Sequence, residues 1–201
     1  MSPAEKKAEK ARLRARFRAA RLARSEADYA AHSALIRARL LALPEVAAAR
    51  TVHVYWPLVE RREVDTRPLI AALHARGVRV VLPVVVGRTE GAPPALRHCL
   101  YEGEDRLCAS PWGLLEPGPD APEVDALDLD AVIVPALGAG RDGHRIGHGA
   151  GYYDAFLAGL GAFTACPVYA DCLVDRLPAE PHDRPVDVVV TEAETWRVPP
   201  P

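Results

Sequence analysis

The apolar positions of the first 24 residues are sparse: Leu13, Phe17 and Leu22 alone interrupt a run of Ala, Arg, Lys and Glu. Such a composition favours helix intrinsically, and the segment Ala4–Ala23 is predicted as one, with a thin apolar stripe that anchors it poorly. A second helix is predicted over Glu26–Leu43, with Ser25 as its N-cap and Pro44 as its stop. The period then changes. "TVHVYW" (Thr51–Trp56) reads as a strand ending at Pro57, and "DTRPLIAALHARG" as a helix capped by Asp65 or Thr66 and stopped by Gly77. "VRVVLPVVV" (Val78–Val86) is continuously apolar, as expected of a strand buried on both faces.

Residues 87–126 are broken by Gly and Pro and offer only short strand candidates. "LDAVIVPAL" (Leu129–Leu137) is a third strong strand. "YYDAFLAGL" then reads as helix, "CPVYA" as strand and "VDVVVTE" as the last strand, with "RVPPP" a frayed end. Strands alternating with helices predict an α/β fold, mainly parallel, with right-handed crossovers. There is no internal repeat and no linker, so residues 1–201 are read as a single domain.

Composition narrows the function classes. Half the chain is apolar and the formal net charge is −2, which gives no overall argument for a nucleic-acid partner. The charge is uneven, however: residues 1–24 hold nine Lys or Arg against two Glu. That segment is a solvated face, a nucleic-acid contact lacking any stacking platform, or a helix that folds back onto a polyanionic substrate. Cys99, Cys108, Cys166 and Cys172 form no CxxC pair and are expected as reduced thiols. The charged N-terminus and the lack of a long apolar run predict a cytoplasmic protein with no membrane partner.

The chemistry concentrates in "RIGHGAGYYD", Arg145 to Asp154. Three glycines within five residues, between a strand and a helix, suit either a surface turn or a backbone that closely approaches an anion. Arg141 and Arg145 supply charge for phosphate. One or both of Tyr152 and Tyr153 are expected in the core. Asp154 and Asp183 are the candidate carboxylates for a magnesium ion, against the commoner role of solvated caps. His144 and His148 are spaced i, i+4, but the surrounding glycines break the helix that a zinc pair would need.

Beyond these local readings, "DAVIVPALGAGRDGHRIGHGAGYYDAFL" resembles the signature of the 5-formyltetrahydrofolate cyclo-ligase (5,10-methenyltetrahydrofolate synthetase) family. "KARLR" near the start, "EVDT" at Glu63–Thr66, "PWGLLEP" at Pro111–Pro117 and "LPAEPHDRPVDVVVTE" near the end follow in the same order. The resemblance implies a three-layer α/β/α sandwich of the ribose-5-phosphate isomerase and coenzyme A transferase group. It also implies an ATP- and Mg²⁺-dependent ligase, acting as a monomer on 5-formyltetrahydrofolate. Carried over by position, Lys10 and Arg14 reach the nucleotide phosphates from the basic helix (about 3–24). Arg145, Ile146, Gly147, His148, Gly149, Ala150, Gly151, Tyr152 and Tyr153 form the nucleotide loop, with Lys10 and Arg145 catalytic. Asp154 and Asp183 hold Mg²⁺, and Glu63, Trp112 and Tyr152 meet the folate. The sequence departs from the family pattern at His148, Ala150, Ala155 and Cys172. The last change implies a lost hydrogen bond to substrate or nucleotide. The alternative function is a non-catalytic folate- or nucleotide-binding protein of the same fold.

Overall fold

A computed structural model of the chain describes residues 1–87, 93–111, 113–180 and 183–199. Its α-helices are α1 (Pro3–Leu22), α2 (Glu26–Ala42), α3 (Pro44–Ala48), α4 (Arg67–Ala75) and α5 (Tyr152–Leu157). The strands are β1 (Thr51–His53), β2 (Arg79–Val85), β3 (Leu96–Leu100), β4 (Leu107–Ala109), β5 (Leu115–Pro117) and β6 (Ala131–Ile133). They continue with β7 (Gly138–Gly140), β8 (Arg145–Ile146), β9 (Phe163–Pro167), β10 (Leu173–Val174), β11 (Val188–Val190) and β12 (Thr195–Arg197).

Seven of these strands form one sheet in the order β12-β11-β9-β6-β1-β2-β3. Its five inner strands run parallel, and β12 and β3 close the two edges antiparallel. Of the inner strands, β1, β6 and β11 are buried throughout and β9 at all but its first residue, as helix-flanked parallel strands require. This mainly parallel α/β sandwich is the architecture expected from the alternation of elements. The sequence order reverses between β1 and β6, and such a switch point opens a crevice at the carboxyl ends of the strands. Two small sheets, β10-β7-β8 and the β4–β5 hairpin, stand beside that crevice.

Individual boundaries differ from expectation for identifiable reasons. β1 stops at His53 and β6 at Ile133, because Tyr55, Trp56, Pro135 and Ala136 leave the sheet to line a cavity. β2 is buried only at its centre; Pro83, Val84 and Val85 are half-buried, and Pro83 and Val85 face the same cavity. β11 is not the last strand. Residues 195–197 form β12, held by the Trp196 indole N–H donating to the Arg141 carbonyl at 2.9 Å, so Arg197 belongs to the sheet.

The larger correction concerns α1, which is firmly docked. Leu22 is exposed, whereas Lys10, Leu13, Phe17 and Arg21 are buried along one helical face. A hydropathy pattern misses this face because two of its four members are cations. The Phe17 ring fits against Gly138, where an added Cβ would stand 2.5 Å from its edge and 2.7 Å from the Cys172 carbonyl oxygen. At the other end, Ser2 and Glu5 form a reciprocal capping box.

Behind α5 lies a dry aromatic cluster. The fully buried ring of His53 sits 5.2 Å from His98, 5.0 Å from Phe156 and 6.0 Å from Tyr153. Among the described residues, neither ring nitrogen of His53 has a hydrogen-bond partner. Burial, followed by the neighbouring His98, holds its pKa well below the ordinary value, and burial also lowers His98. The unfolded chain takes up a proton at each such imidazole below about pH 6.5, while the folded chain does not. Unfolded protein therefore binds more protons there, and stability must fall as pH falls through that point, by up to about 1.4 kcal/mol per unit per histidine. Urea midpoints at pH 7.5 and 5.5 should converge in His53→Phe relative to the unsubstituted chain. An identical pH dependence in both proteins would show that His53 is not held neutral.

Candidate active site

The crevice at the switch point holds a cavity of about 240 Å³. Its inner wall is apolar, built from Tyr55, Trp56, Leu58, Pro83, Val85 and Leu96. Its mouth is polar and continues into a shallower groove between α1 and the glycine loop, which adds Lys7, Glu180 and Arg184. One site thus has two compartments, a flat greasy one and a charged one.

The charged compartment is assembled from three distant segments. From α1, the Lys10 ammonium donates to Glu180 at 2.6 Å and to Asp183 at 2.7 Å. Burial pulls its pKa down, but those two carboxylates outweigh burial and hold it above the ordinary lysine value. Arg14, one turn further on, donates to the Gly147 carbonyl at 3.1 Å and packs beside Gly149. From β8, Arg145 reaches Asp154 at 2.8 Å and the Arg184 carbonyl at 2.6 Å, with its side chain almost wholly buried. Gly149 (φ +96°) and Gly151 (φ +79°) occupy conformations that side chains rarely adopt. These two glycines let the loop bend tightly under Arg14. α5, entered from Gly151, is only six residues long, so the expected contribution of a helix N-terminus to anion binding is small.

Between the compartments stands Glu63. One carboxylate oxygen shares a hydrogen bond with His148 Nε2 at 3.1 Å, and the other accepts the Leu58 N–H at 3.0 Å. Arg21 lies behind it with Nη1 at 3.8 Å, an ion pair too long for a hydrogen bond, while its Nη2 donates to the Ala136 carbonyl. Burial would raise the Glu63 carboxyl, but the His148 bond, the Arg21 charge and the Leu58 N–H together hold it below the ordinary value.

Every site residue named from the sequence lines this one cavity, with two exceptions. Trp112 lies outside the described residues. Arg141 is turned away from the cavity, paired with Glu194 at 3.0 Å and stacked 4.3 Å over the Trp196 ring, so it supplies no charge to this site. Ile146 does so from a buried strand position, and Ala150 from the loop. Tyr153 also enters the aromatic cluster behind α5, so it is the core aromatic of the pair. Cys172 is elsewhere. It is fully buried beneath α1, with Sγ 4.0 Å from the Phe17 carbonyl and its thiol pushed up to about 12 by burial, so its substitution touches no ligand-facing position. Arg21, Trp56, Glu116 and Glu180 were not foreseen. The signal for Arg21 was its spacing of four from Phe17, on the face shared with Lys10.

This geometry coincides with a family match over residues 6–192, to the model of the 5-formyltetrahydrofolate cyclo-ligase family. The chain belongs to that family. It is 36% identical over 162 residues to the 5-formyltetrahydrofolate cyclo-ligase of Escherichia coli (strain K12), covering 79% of this chain and 86% of that protein. It is 37% identical over 147 residues to the cyclo-ligase of Mycolicibacterium smegmatis, covering 72% and 74% respectively. The solved 5,10-methenyltetrahydrofolate synthetase of Aquifex aeolicus superposes with a TM-score of 0.80 at 28% identity, covering 96% of this chain and 94% of the other.

Arg21 and Glu63 are both buried, and removing one partner from such a pair leaves an uncompensated charge. Arg21→Met should lower unfolding stability by about 3 kcal/mol, and the double variant Arg21→Met/Glu63→Gln should recover much of it. Urea titration of the four proteins measures the coupling. Strict additivity would separate the two residues.

Proposed function

We propose that the protein converts 5-formyltetrahydrofolate and ATP to 5,10-methenyltetrahydrofolate, ADP and phosphate. The observation that carries this is the two-compartment cavity, in which an apolar slot suited to a pterin opens onto a cationic glycine loop suited to a triphosphate. Family membership supplies the substrate class.

The reaction needs a formamide oxygen to become a leaving group. The formyl oxygen attacks the γ-phosphorus and the bond to the β-phosphate oxygen breaks, releasing ADP. N10 then attacks the formyl carbon, the carbon–oxygen bond breaks, and phosphate leaves. N10 gives up its proton, which balances as monohydrogen phosphate. Lys10, Arg14 and Arg145 are assigned to the phosphates, where their charge stabilises the transferring group and aligns it with the formyl oxygen. The loop from Ile146 to Tyr153 wraps the nucleotide, with Tyr152 facing the folate. Glu63 is assigned to the folate. Held ionised between the compartments, it is suited to accept the N–H hydrogen bond of N10 as ring closure begins.

The carboxylates also suit a magnesium ion. Asp154 and Asp183 lie on the phosphate side of the cavity, and no group of three or more His, Cys, Asp or Glu forms a closed metal cage among the described residues. Such a set fits an ion that shares its shell with phosphate oxygens and water. When bound, the ion would neutralise phosphate charge. Asp154 would accept it by exchanging its Arg145 partner, and Asp183 by exchanging Lys10.

The decisive assay is the ultraviolet absorbance of the methenyl product, with and without MgATP; no ATP-dependent product from folded protein would overturn the reading. Within it, Arg14→Ala should lower kcat/KM for ATP about ten- to a hundredfold, roughly 1.5–3 kcal/mol, with the KM for the folate little changed. Asp154→Asn should raise the magnesium concentration needed for half-maximal rate, since an amide is a poorer ligand for a hard cation. An unchanged magnesium requirement would remove Asp154 from the metal site.

A further inference from the structure

Glu116 is a cavity residue with no part in the reaction as assigned. It is the middle residue of β5, and its side chain lines the apolar compartment beside Val85, Leu96 and Leu115. The Val85 N–H donates to its Oε1 at 3.2 Å. Among the described residues, that is its one hydrogen bond, and no Lys, Arg or His pairs with it. The residue is only 7% exposed, and burial pushes its carboxyl above the ordinary range despite the Val85 N–H.

The contrast with Glu63 is instructive. Both Glu63 oxygens accept hydrogen bonds, and Arg21 stands behind them. Among the described residues, Glu116 keeps Oε2 unengaged, and Oε1 retains a second lone pair. The backbone pairing of β5 with β4 places no demand on this side chain, so Leu or Met would serve the hairpin equally well. A carboxyl in an apolar pocket without a cation is costly to keep. It becomes favourable once a ligand brings N–H donors into the same dry space.

We propose that Glu116 is a specificity-determining residue that reads the 2-aminopyrimidin-4-one edge of the pterin, accepting from its ring N–H and its exocyclic amine. This rests on the apolar compartment being the folate slot. The two donors lie side by side on one ring edge, and a carboxylate matches them with parallel hydrogen bonds. Pinning that edge to β5 directs the opposite end of the pterin, which carries N5 and leads to N10, toward Glu63. His148 joins Glu63 to the glycine loop, so the formyl oxygen is turned to the phosphate side.

The test pairs a change in the protein with a change in the ligand. kcat/KM would be measured for 5-formyltetrahydrofolate and for its analogue with methyl in place of the 2-amino group, using the unsubstituted chain, Glu116→Leu and Glu116→Gln. The unsubstituted chain should prefer the natural substrate by at least about tenfold, because the analogue leaves a buried carboxyl unpaired. In Glu116→Leu the preference should fall to within about threefold, the folate KM should rise about ten- to a hundredfold, and the KM for ATP should stay constant. Should Glu116→Leu fail to fold, Glu116→Gln keeps the volume, and circular dichroism with the quenching of tryptophan fluorescence on adding folate establishes that it is folded and binds. The same preference in a folded variant as in the unsubstituted chain, or no preference in the latter, overturns the role of Glu116. Failure of the unsubstituted chain to turn over either folate overturns the folate slot instead.

Discussion

The contact of Phe17 with Gly138 is the constraint on which the site depends. A ring can approach the strand backbone this closely only where the facing residue has no Cβ, and the approach fixes both the height and the rotation of α1. With Phe17 seated, residues three or four positions along the helix are committed to the same face. Lys10 is thereby set over Glu180 and Asp183, Arg14 over the glycine loop, and Arg21 behind Glu63. One apolar contact thus positions three cations, each of which alone would cost free energy to bury. The carboxylates and carbonyls waiting for them offset that cost. The basic helix is therefore an integral wall of the site.

The pairing of these cations also bears on catalysis. Arg145 is held by Asp154 and the Arg184 carbonyl, and Lys10 by Glu180 and Asp183, so their side chains are already ordered at the cavity. A phosphate that replaces one carboxylate partner gains an oriented charge without paying the full rotamer entropy of a free Lys or Arg. On the proposed reading Asp154 and Asp183 would be the partners displaced, so the carboxylates freed by phosphate would be the same ones suited to its counter-ion. Anion and cation binding would then be linked through shared residues, each favouring the other.

Much of this was legible in the sequence, and the failures have physical causes. The parallel core was visible because strands buried on both faces are long Val- and Ala-rich runs. The glycine loop was visible because positive φ at Gly149 and Gly151 demands glycine. The edge strands β3 and β12 were not, since "LRHCL" and "TWR" carry polar residues that are half-buried in β3 and exposed in β12. β12 is held instead by backbone pairing and by the Trp196 indole. The inward face of α1 was hidden because hydropathy counts a buried Arg21 as a surface residue. Glu116 was overlooked for the same reason: its meaning lies in what surrounds it, and Val85 and Leu96 come from other strands.

Glu63 and Glu116 illustrate how one cavity gives the same side chain two characters. Arg21, His148 and a backbone N–H keep Glu63 below the ordinary carboxyl range, while apolar neighbours lift Glu116 above it. The first is charged and paired at the border of the charged compartment, where on the proposed reading ring closure would release a proton. The second retains acceptor capacity in the apolar compartment, where on the proposed reading a flat heterocycle would present its donors. Divergent carboxyl environments within a single site are how proteins separate roles among identical groups. On the proposed reading the separation would run along the length of the folate, with recognition at one end and chemistry at the other. The fold suits that direction, because β5 lies at the β2 side of the crevice and the glycine loop follows β8, in the stretch of chain that leaves β6 across the switch point.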